Sequence, residues 1–484
     1  MYKDMKIYNS LTRSLEEFVP MNAGEVGMYT CGPTVYSFVT IGNWRTYTLG
    51  DLLVRALRYQ GLNVKYVMNI TDVGHLTGDN SGDADTGEDR LEKAAKKEGR
   101  NAWEIAKFYE DDFLKGYEAL GLVKPMTFCR ATEHIEEQIR MVKAIEDKGF
   151  AYKIDDGIYF DTLAFEKAGN IYGELSSLSQ IKEGARVEPN LQKKDPRDFA
   201  LWKFSPTDAK RDMEWESPWG TGFPGWHIEC SAMSTKYLGD QFDIHLGGED
   251  LRSTHHPNEI AQAEAATGKK PFVKYWMHGA FLLVDGGRMG KSLGNAYTLA
   301  DLVERGYSPL DLRYFYLTGH YRKQLNFTFD SLDSAKMARR NLLNQVAGYK
   351  EAKNRNDLQE EKLAKINTYR DRFLEAINND LNMPEALAVV FEMIKSNIAD
   401  YDKYDLMLEW DKVLGLGVDG YRATKKNVSF EDLPTKVKEL MSQRQEAREQ
   451  KDFALSDKIR DELSALGYIV EDFASGQQIR QKLD

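Results

Sequence analysis

Four side chains of metal-binding type stand in three separated segments of this sequence: Cys31, Cys230, and the pair His255 and Glu259. Two soft thiolates, an imidazole and a carboxylate suit Zn²⁺, which accepts sulfur, nitrogen and oxygen donors in tetrahedral geometry. His255 and Glu259 are four residues apart at the head of a predicted helix, so both side chains leave one face. Pro257 between them fits a first helical turn, where its missing N–H costs little. His256 competes with His255 for the imidazole position. The spacing is no recognised zinc signature, and a buried Cys after a strand or a His/Glu surface contact is the ordinary reading of each piece. Cys129 stands in no motif and reads as structural. Two further segments, Thr40-Ile-Gly-Asn43 and Arg288-Met-Gly-Lys-Ser292, have the composition of nucleotide-handling motifs, each weak alone.

These residues need a frame that brings distant segments together. Glu25–Thr30 reads as a strand broken by Cys31-Gly-Pro33, Gly42–Tyr59 as a helix ended by Gly61, and Asn63–Ile70 as a second buried strand. Strand, helix and strand on short connections imply a right-handed parallel unit, the start of a doubly wound fold whose strand ends converge on one crevice. Residues 78–89 form an acidic, Gly-rich stretch expected to be a solvated loop. Helical patterns follow at about 90–119 and 131–148, then a mixed region to about 195 that reads as an insertion. The core is expected to resume at Asp198–Trp202 and continue through Phe242–Asp250, a strand running into a Gly-rich turn. Pro257 is expected to open a helix from Asn258 to Ala266. Phe281–Val284 and Asp285-Gly-Gly287 suggest a strand and a tight turn leading to Lys291. From about 330 the pattern is almost entirely helical and charged, with a boundary at Pro434.

Composition sets outer limits. A chain of 484 residues exceeds the roughly 250–300 residues at which single cores stop growing, so several domains are expected. The start lacks the basic and apolar regions of a signal peptide, and no apolar run approaches the ~20 residues needed to span a bilayer. Three cysteines make no disulfide framework, which suits a reducing cytoplasm. The net charge of −11, from 65 basic and 76 acidic residues, argues against indiscriminate attachment to nucleic acid. It leaves an RNA partner open, because phosphate binding depends on local basic patches.

Taken in order, these segments resemble the cysteinyl-tRNA synthetases over almost the whole chain. Further matching stretches are Arg130-Ala-Thr-Glu-His134, Ser217-Pro-Trp-Gly220, Gly225-Trp-His-Ile-Glu-Cys230 and Gly319-His-Tyr-Arg322, with Arg448–Gly467 resembling the family's anticodon-reading module. The resemblance implies an α/β fold: a Rossmann-like doubly wound parallel sheet with an insertion, then an α-helical C-terminal region. The implied division is a first catalytic half at 1–120, an insertion at 121–197, a second half at 198–298, a stem-contact region at 299–345, a helical bundle at 346–425 and an anticodon module at 426–484.

It also implies roles. Cys31, Cys230, His255 and Glu259 would hold one Zn²⁺ that binds the substrate thiol. Gly32, Thr71, Trp226 and His245 would line the amino-acid pocket. Thr40, Gly42, Asn43, Gly247, Gly248, Asp250, Lys291 and Ser292 would bind ATP, with Thr40, Asn43 and Lys291 catalytic and Mg²⁺ accompanying the nucleotide. The implied activity is ATP-dependent cysteine–tRNA ligation on tRNA(Cys), ATP and L-cysteine, by a cytoplasmic monomer with no membrane contact. Thr40 and Gly290 depart from the family motifs, where a histidine and a serine are usual, and Arg288 replaces a lysine. Two other readings share the site: a catalytically impaired cysteine- or tRNA-binding homologue, and a ligase joining cysteine to a small amine.

Overall fold

The computed structural model describes residues 5–482 apart from 75, 78–87, 177–189, 207–209, 291–292, 351–359, 422–424, 428–429 and 474–475. Lys291, Ser292 and most of the acidic 78–89 stretch therefore lie outside the described residues. The core is a sheet of five strands: β1 Glu25–Thr30, β2 Asn63–Ile70, β3 Thr127–Arg130, β4 Phe242–Gly248 and β5 Val273–Gly279. They lie in the order β5-β4-β1-β2-β3, all parallel. β2 shows why: Val64 and Tyr66 alternate with exposed Asn63 and Lys65, after which every residue to Ile70 is buried. A strand covered on both faces reads as a continuous apolar run.

Three helices matter for the site: α1 Ile41–Tyr59, α2 Trp226–Leu238 and α3 His255–Thr267. α1 connects β1 to β2 on one side, while β4 pairs with β1 on the other. The strand order thus reverses at β1, and the crevice beyond the carboxyl ends of β1 and β4 is where such folds place ligands. α3 begins three residues before the expected Asn258, with Pro257 inside its first turn. The N–H groups of that turn have no intrahelical acceptor, so proline is tolerated there.

Ala200–Phe204 corrects a second expectation. It is an inner strand of an antiparallel sheet ordered Gly222–Pro224, Ala200–Phe204, Gly157–Phe160, Ala151–Ile154. The parallel core resumes only around α2. A short apolar run does not distinguish a central antiparallel strand from a parallel one. Phe160, Trp202 and Phe165 pack with Ile228 of α2 and Ala261 of α3, so the insertion shares its apolar core with the two helices that carry candidate ligands.

The chain divides into two compact units, Met1–Ala335 with Asp371–Val389 and Lys412–Leu414, and the remainder. The second unit is mainly helical but adds a terminal antiparallel hairpin, Tyr468–Phe473 with Gly476–Lys482. Val437 and Leu440 of helix Thr435–Glu449 and Ile459 and Leu463 of helix Phe453–Ala465 share its core with Tyr468 and Val470. No helix among the described residues is long and apolar enough to cross a membrane.

Candidate active site

The four expected ligands meet at the crevice. Cys31 directly follows β1, its N–H donating to Leu246 O of β4 at 3.0 Å. Cys230 projects from α2, and His255 and Glu259 from the first two turns of α3. One donor atom from each lies within 4.8 Å of the other three, and all four residues are buried. Donors bound at about 2.0–2.3 Å in a tetrahedron lie roughly 3.3–3.8 Å apart, so this set closes on an ion with small side-chain shifts. His255 Nε2 is 3.0 Å from Glu259 Oε1, while its Nδ1 meets His227 Nδ1 at 2.9 Å, fixing the ring from behind.

A second donor set overlaps the first: Cys31, His245, His256 and Glu259. His245 Nε2 lies 2.8 Å from Glu259 Oε2, and His256 Nε2 lies 3.5 Å from Cys31 Sγ. Behind His256, its Nδ1 bonds His278 Nε2 at 2.8 Å, and His278 Nδ1 bonds Ser10 Oγ at 2.8 Å. His227, His245, His255, His256 and His278, five of the chain's eight histidines, thus gather in one buried cluster. Their crowding between positions 227 and 278 was visible in the sequence, but without the sheet order nothing tied His227 or His278 to Cys31.

Electrostatics couple the cluster. Burial opposes ionisation of Glu259, but His245 and His255 outweigh it and hold the carboxylate down to about 2. Burial likewise disfavours charge on His255, yet Glu259 and Cys230 raise it to about 10. Burial pushes the Cys31 thiol well up, reinforced by Cys230. At Cys230, the Cys31 thiol and His255 overcome burial and Glu259 to bring the thiol below its ordinary value. His256 goes the other way: burial and the neighbouring histidines keep it neutral, well below its usual value. A divalent ion requires neutral imidazole and thiolate, so its binding to the first set would displace the protons that His255 and Cys31 hold here.

The residues expected to line an amino-acid pocket surround the same cluster. Gly32 N donates to Asn69 Oδ1 at 2.8 Å, and a Cβ there would sit 1.8 Å from Asn69 O, so only glycine fits. Thr71 donates to Glu229 Oε2 at 3.0 Å, a buried carboxylate that the sequence did not single out. The Trp226 ring lies 4.4 Å from that of His255.

Beside the cluster opens a cavity of about 620 Å³ lined by Thr40, Gly42, Asn43, Gly248, Asp250, Ala280, Phe281, Arg288, Met289, Gly290 and Gln324, among others. Both nucleotide-type motifs therefore face one space. A Cβ at Gly42 would come 3.3 Å from Met289 Cε, so the glycine admits the second motif against the first. The Thr40 hydroxyl donates to Asn43 Oδ1 at 2.8 Å, and Thr40 N donates to the same oxygen at 3.3 Å. Gly247 sits apart from the cavity wall: a Cβ there would meet His256 Cε1 at 2.6 Å, so it packs on the histidine cluster. Asn295 closes the base of the second loop, accepting from Gly290 N at 2.9 Å and donating to Arg288 O at 3.1 Å. Cys129 is buried in β3, in the same apolar cluster as Cys31 and Cys230, but belongs to neither donor set.

A parallel sheet with its crevice at the strand reversal, one helix start and one loop across a shared cleft define a class I tRNA-synthetase catalytic domain. The model of the class I (C) catalytic domain of tRNA synthetases matches residues 17–337, a DALR domain residues 372–418, and a cysteinyl-tRNA ligase anticodon-binding domain residues 431–480. The methionyl-tRNA synthetase of Mycobacterium tuberculosis, solved with methionyl-adenylate, shares the fold at a TM-score of 0.58 and 14% identity, over 82% of this chain and 92% of its own. Cysteine–tRNA ligase 1 of Burkholderia lata is 45% identical across 98% of this chain and 96% of its own length. The cysteine–tRNA ligases of Treponema denticola and Caldicellulosiruptor saccharolyticus are 41% and 39% identical, over 97% and 99% of this chain and 98% and 100% of their own lengths. The chain belongs to the cysteine–tRNA ligase family.

Proposed function

We propose that this chain activates L-cysteine with ATP and transfers it to the 3′ end of tRNA(Cys). The observation that carries the reading is the buried donor set Cys31, Cys230, His255 and Glu259 beside the cleft that both motifs line. Its need follows from a discrimination problem. Cysteine and serine differ by sulfur for oxygen in nearly one volume, and pocket shape separates such pairs by only roughly 1–3 kcal/mol. Zinc bound by those four residues would supply the missing test, taking a sulfur as thiolate where an alcohol stays protonated. The first donor set is preferred over the second because it contributes two thiolates to a borderline-soft ion.

In activation, the substrate carboxylate attacks the α-phosphorus of ATP and the bond to pyrophosphate breaks. Asn43, steadied by Thr40, would donate to the phosphates, and Lys291 with Mg²⁺ would offset charge developing there. Asp250 would accept from the ribose hydroxyls. A terminal ribose hydroxyl of the tRNA then attacks the adenylate, releasing AMP. Positioning and charge account for the catalysis, with no covalent protein intermediate. The module at 431–480 would read the anticodon, which a small-amine ligase has no use for. Charging of tRNA(Cys) with labelled cysteine by the full chain tests the reading. Charging that survives removal of residues 426–484 undiminished would refute the role given to the terminal module.

A further inference from the structure

Arg45 lies on α1 two residues beyond Asn43 and is 6% exposed. Each of its hydrogen bonds among the described residues goes to a main-chain carbonyl. Nη1 donates to Ala280 O at 2.7 Å and Phe281 O at 2.9 Å, and Nη2 to His320 O at 3.2 Å and Lys323 O at 2.6 Å. A buried guanidinium with no carboxylate partner among the described residues is an expensive device, and burial lowers its pKa to about 10. What it holds gives the reason.

The four carbonyls belong to two segments that wall the nucleotide cleft. Ala280 and Phe281 line it, and so does Gln324, next to Lys323. Ala280 and Phe281 are also where the chain leaves β5 for the hairpin of Leu282–Val284 and Gly287–Arg288. That hairpin presents Arg288, Met289 and Gly290 to the cleft. The far end of the excursion is tied to the same helix, because Ile41 N donates to Tyr297 O at 2.9 Å. The first two turns of α1 therefore hold both ends of the segment that carries the second motif, and Arg45 holds its entry.

We propose that Arg45 is a positioning residue for ATP: it couples the two motifs by fixing the root of the hairpin that presents Arg288, Met289 and Gly290 to the cleft. The inference rests on the ligase reading above. A guanidinium suits the task because its planar fork of five N–H donors reaches two segments at once, whereas an ammonium is a point charge with three donors on a flexible stem. A shift of about 1 Å in a positioning element costs up to roughly a hundredfold in rate.

The test is cysteine-dependent exchange of pyrophosphate into ATP by Arg45→Lys, with metal content and melting temperature measured on the same sample. The expected result is a KM for ATP raised roughly tenfold or more and a lower kcat, while the KM for cysteine and the metal content stay at wild-type values. Arg45→Met should lose more, so that lysine is a partial rescue. An unchanged KM for ATP, or equal rises for ATP and cysteine, overturns the proposal. Should the lysine variant not fold, Arg45→Gln, which keeps two donors, takes its place; loss of folding in both makes Arg45 a stability residue and also overturns it. Wild-type protein without exchange activity would instead strike at the ligase reading.

Discussion

The Thr40 hydroxyl donates to Asn43 Oδ1 across 2.8 Å, locking the two polar residues of the first motif together. Thr40 caps α1, and its hydroxyl proton is spent on orienting the amide. The residue that departs most from the family motif thus acts on its neighbour in this structure.

Removing that hydroxyl should cost both the cap and the orientation. Thr40→Val is expected to lower stability by about 1 kcal/mol and to slow adenylate formation by roughly tenfold, the equivalent of 1.4 kcal/mol. Denaturant melts and pyrophosphate exchange measure the two effects. An exchange rate equal to wild type would show that Asn43 needs no partner.

The buried donor set makes a sharp prediction about metal. Cys230→Ser and Glu259→Gln should each retain far less than one zinc per chain by elemental analysis, whereas Cys129→Ser should retain the wild-type amount. Glu259→Gln also strips His255 of its buried counter-charge, and breaking such a pair costs roughly 3–5 kcal/mol. Its melting temperature should fall even in metal-free protein.

Asp72 supplies a pH signature outside the cluster. Burial raises its carboxyl to about 6, although Thr132 works against this with two hydrogen bonds, from its N–H at 2.9 Å and its hydroxyl at 2.6 Å. An acid with a raised folded pKa is ionised in the unfolded chain first. The unfolded state then binds fewer protons, and stability falls as pH rises from about 4 to about 6. Asp72→Asn removes this titration, so the variant should gain stability relative to wild type across that window and hold the gain above it. Parallel unfolding curves from pH 4 to 7 that keep a constant offset would contradict the assignment.

The sequence disclosed most where local pattern and tertiary demand agreed. Asn63–Ile70 was found to the residue because its alternation and the glycine before it mark a strand without reference to anything else. The four metal donors were identifiable by type, and the resemblance supplied their grouping; their meeting at one crevice depends on β4 pairing with β1, which no local pattern encodes. Ala200–Phe204 was misplaced for the same reason, since its partner Gly157–Phe160 is chosen by the insertion's sheet. Arg45 was visible only as a residue next to a motif. Its four acceptors are backbone carbonyls more than 200 positions away, and carbonyls carry no sequence signal.

The most direct measurement is pyrophosphate exchange into ATP by the metal-loaded full chain, with cysteine and with serine at equal concentration. Exchange with cysteine and a serine rate lower by more than the roughly two-hundredfold that pocket shape alone provides is the expected result, with the preference lost along with zinc in Cys230→Ser. Serine accepted nearly as well as cysteine, or full discrimination in protein without bound metal, would contradict the assignment of Cys31, Cys230, His255 and Glu259 as the selecting site.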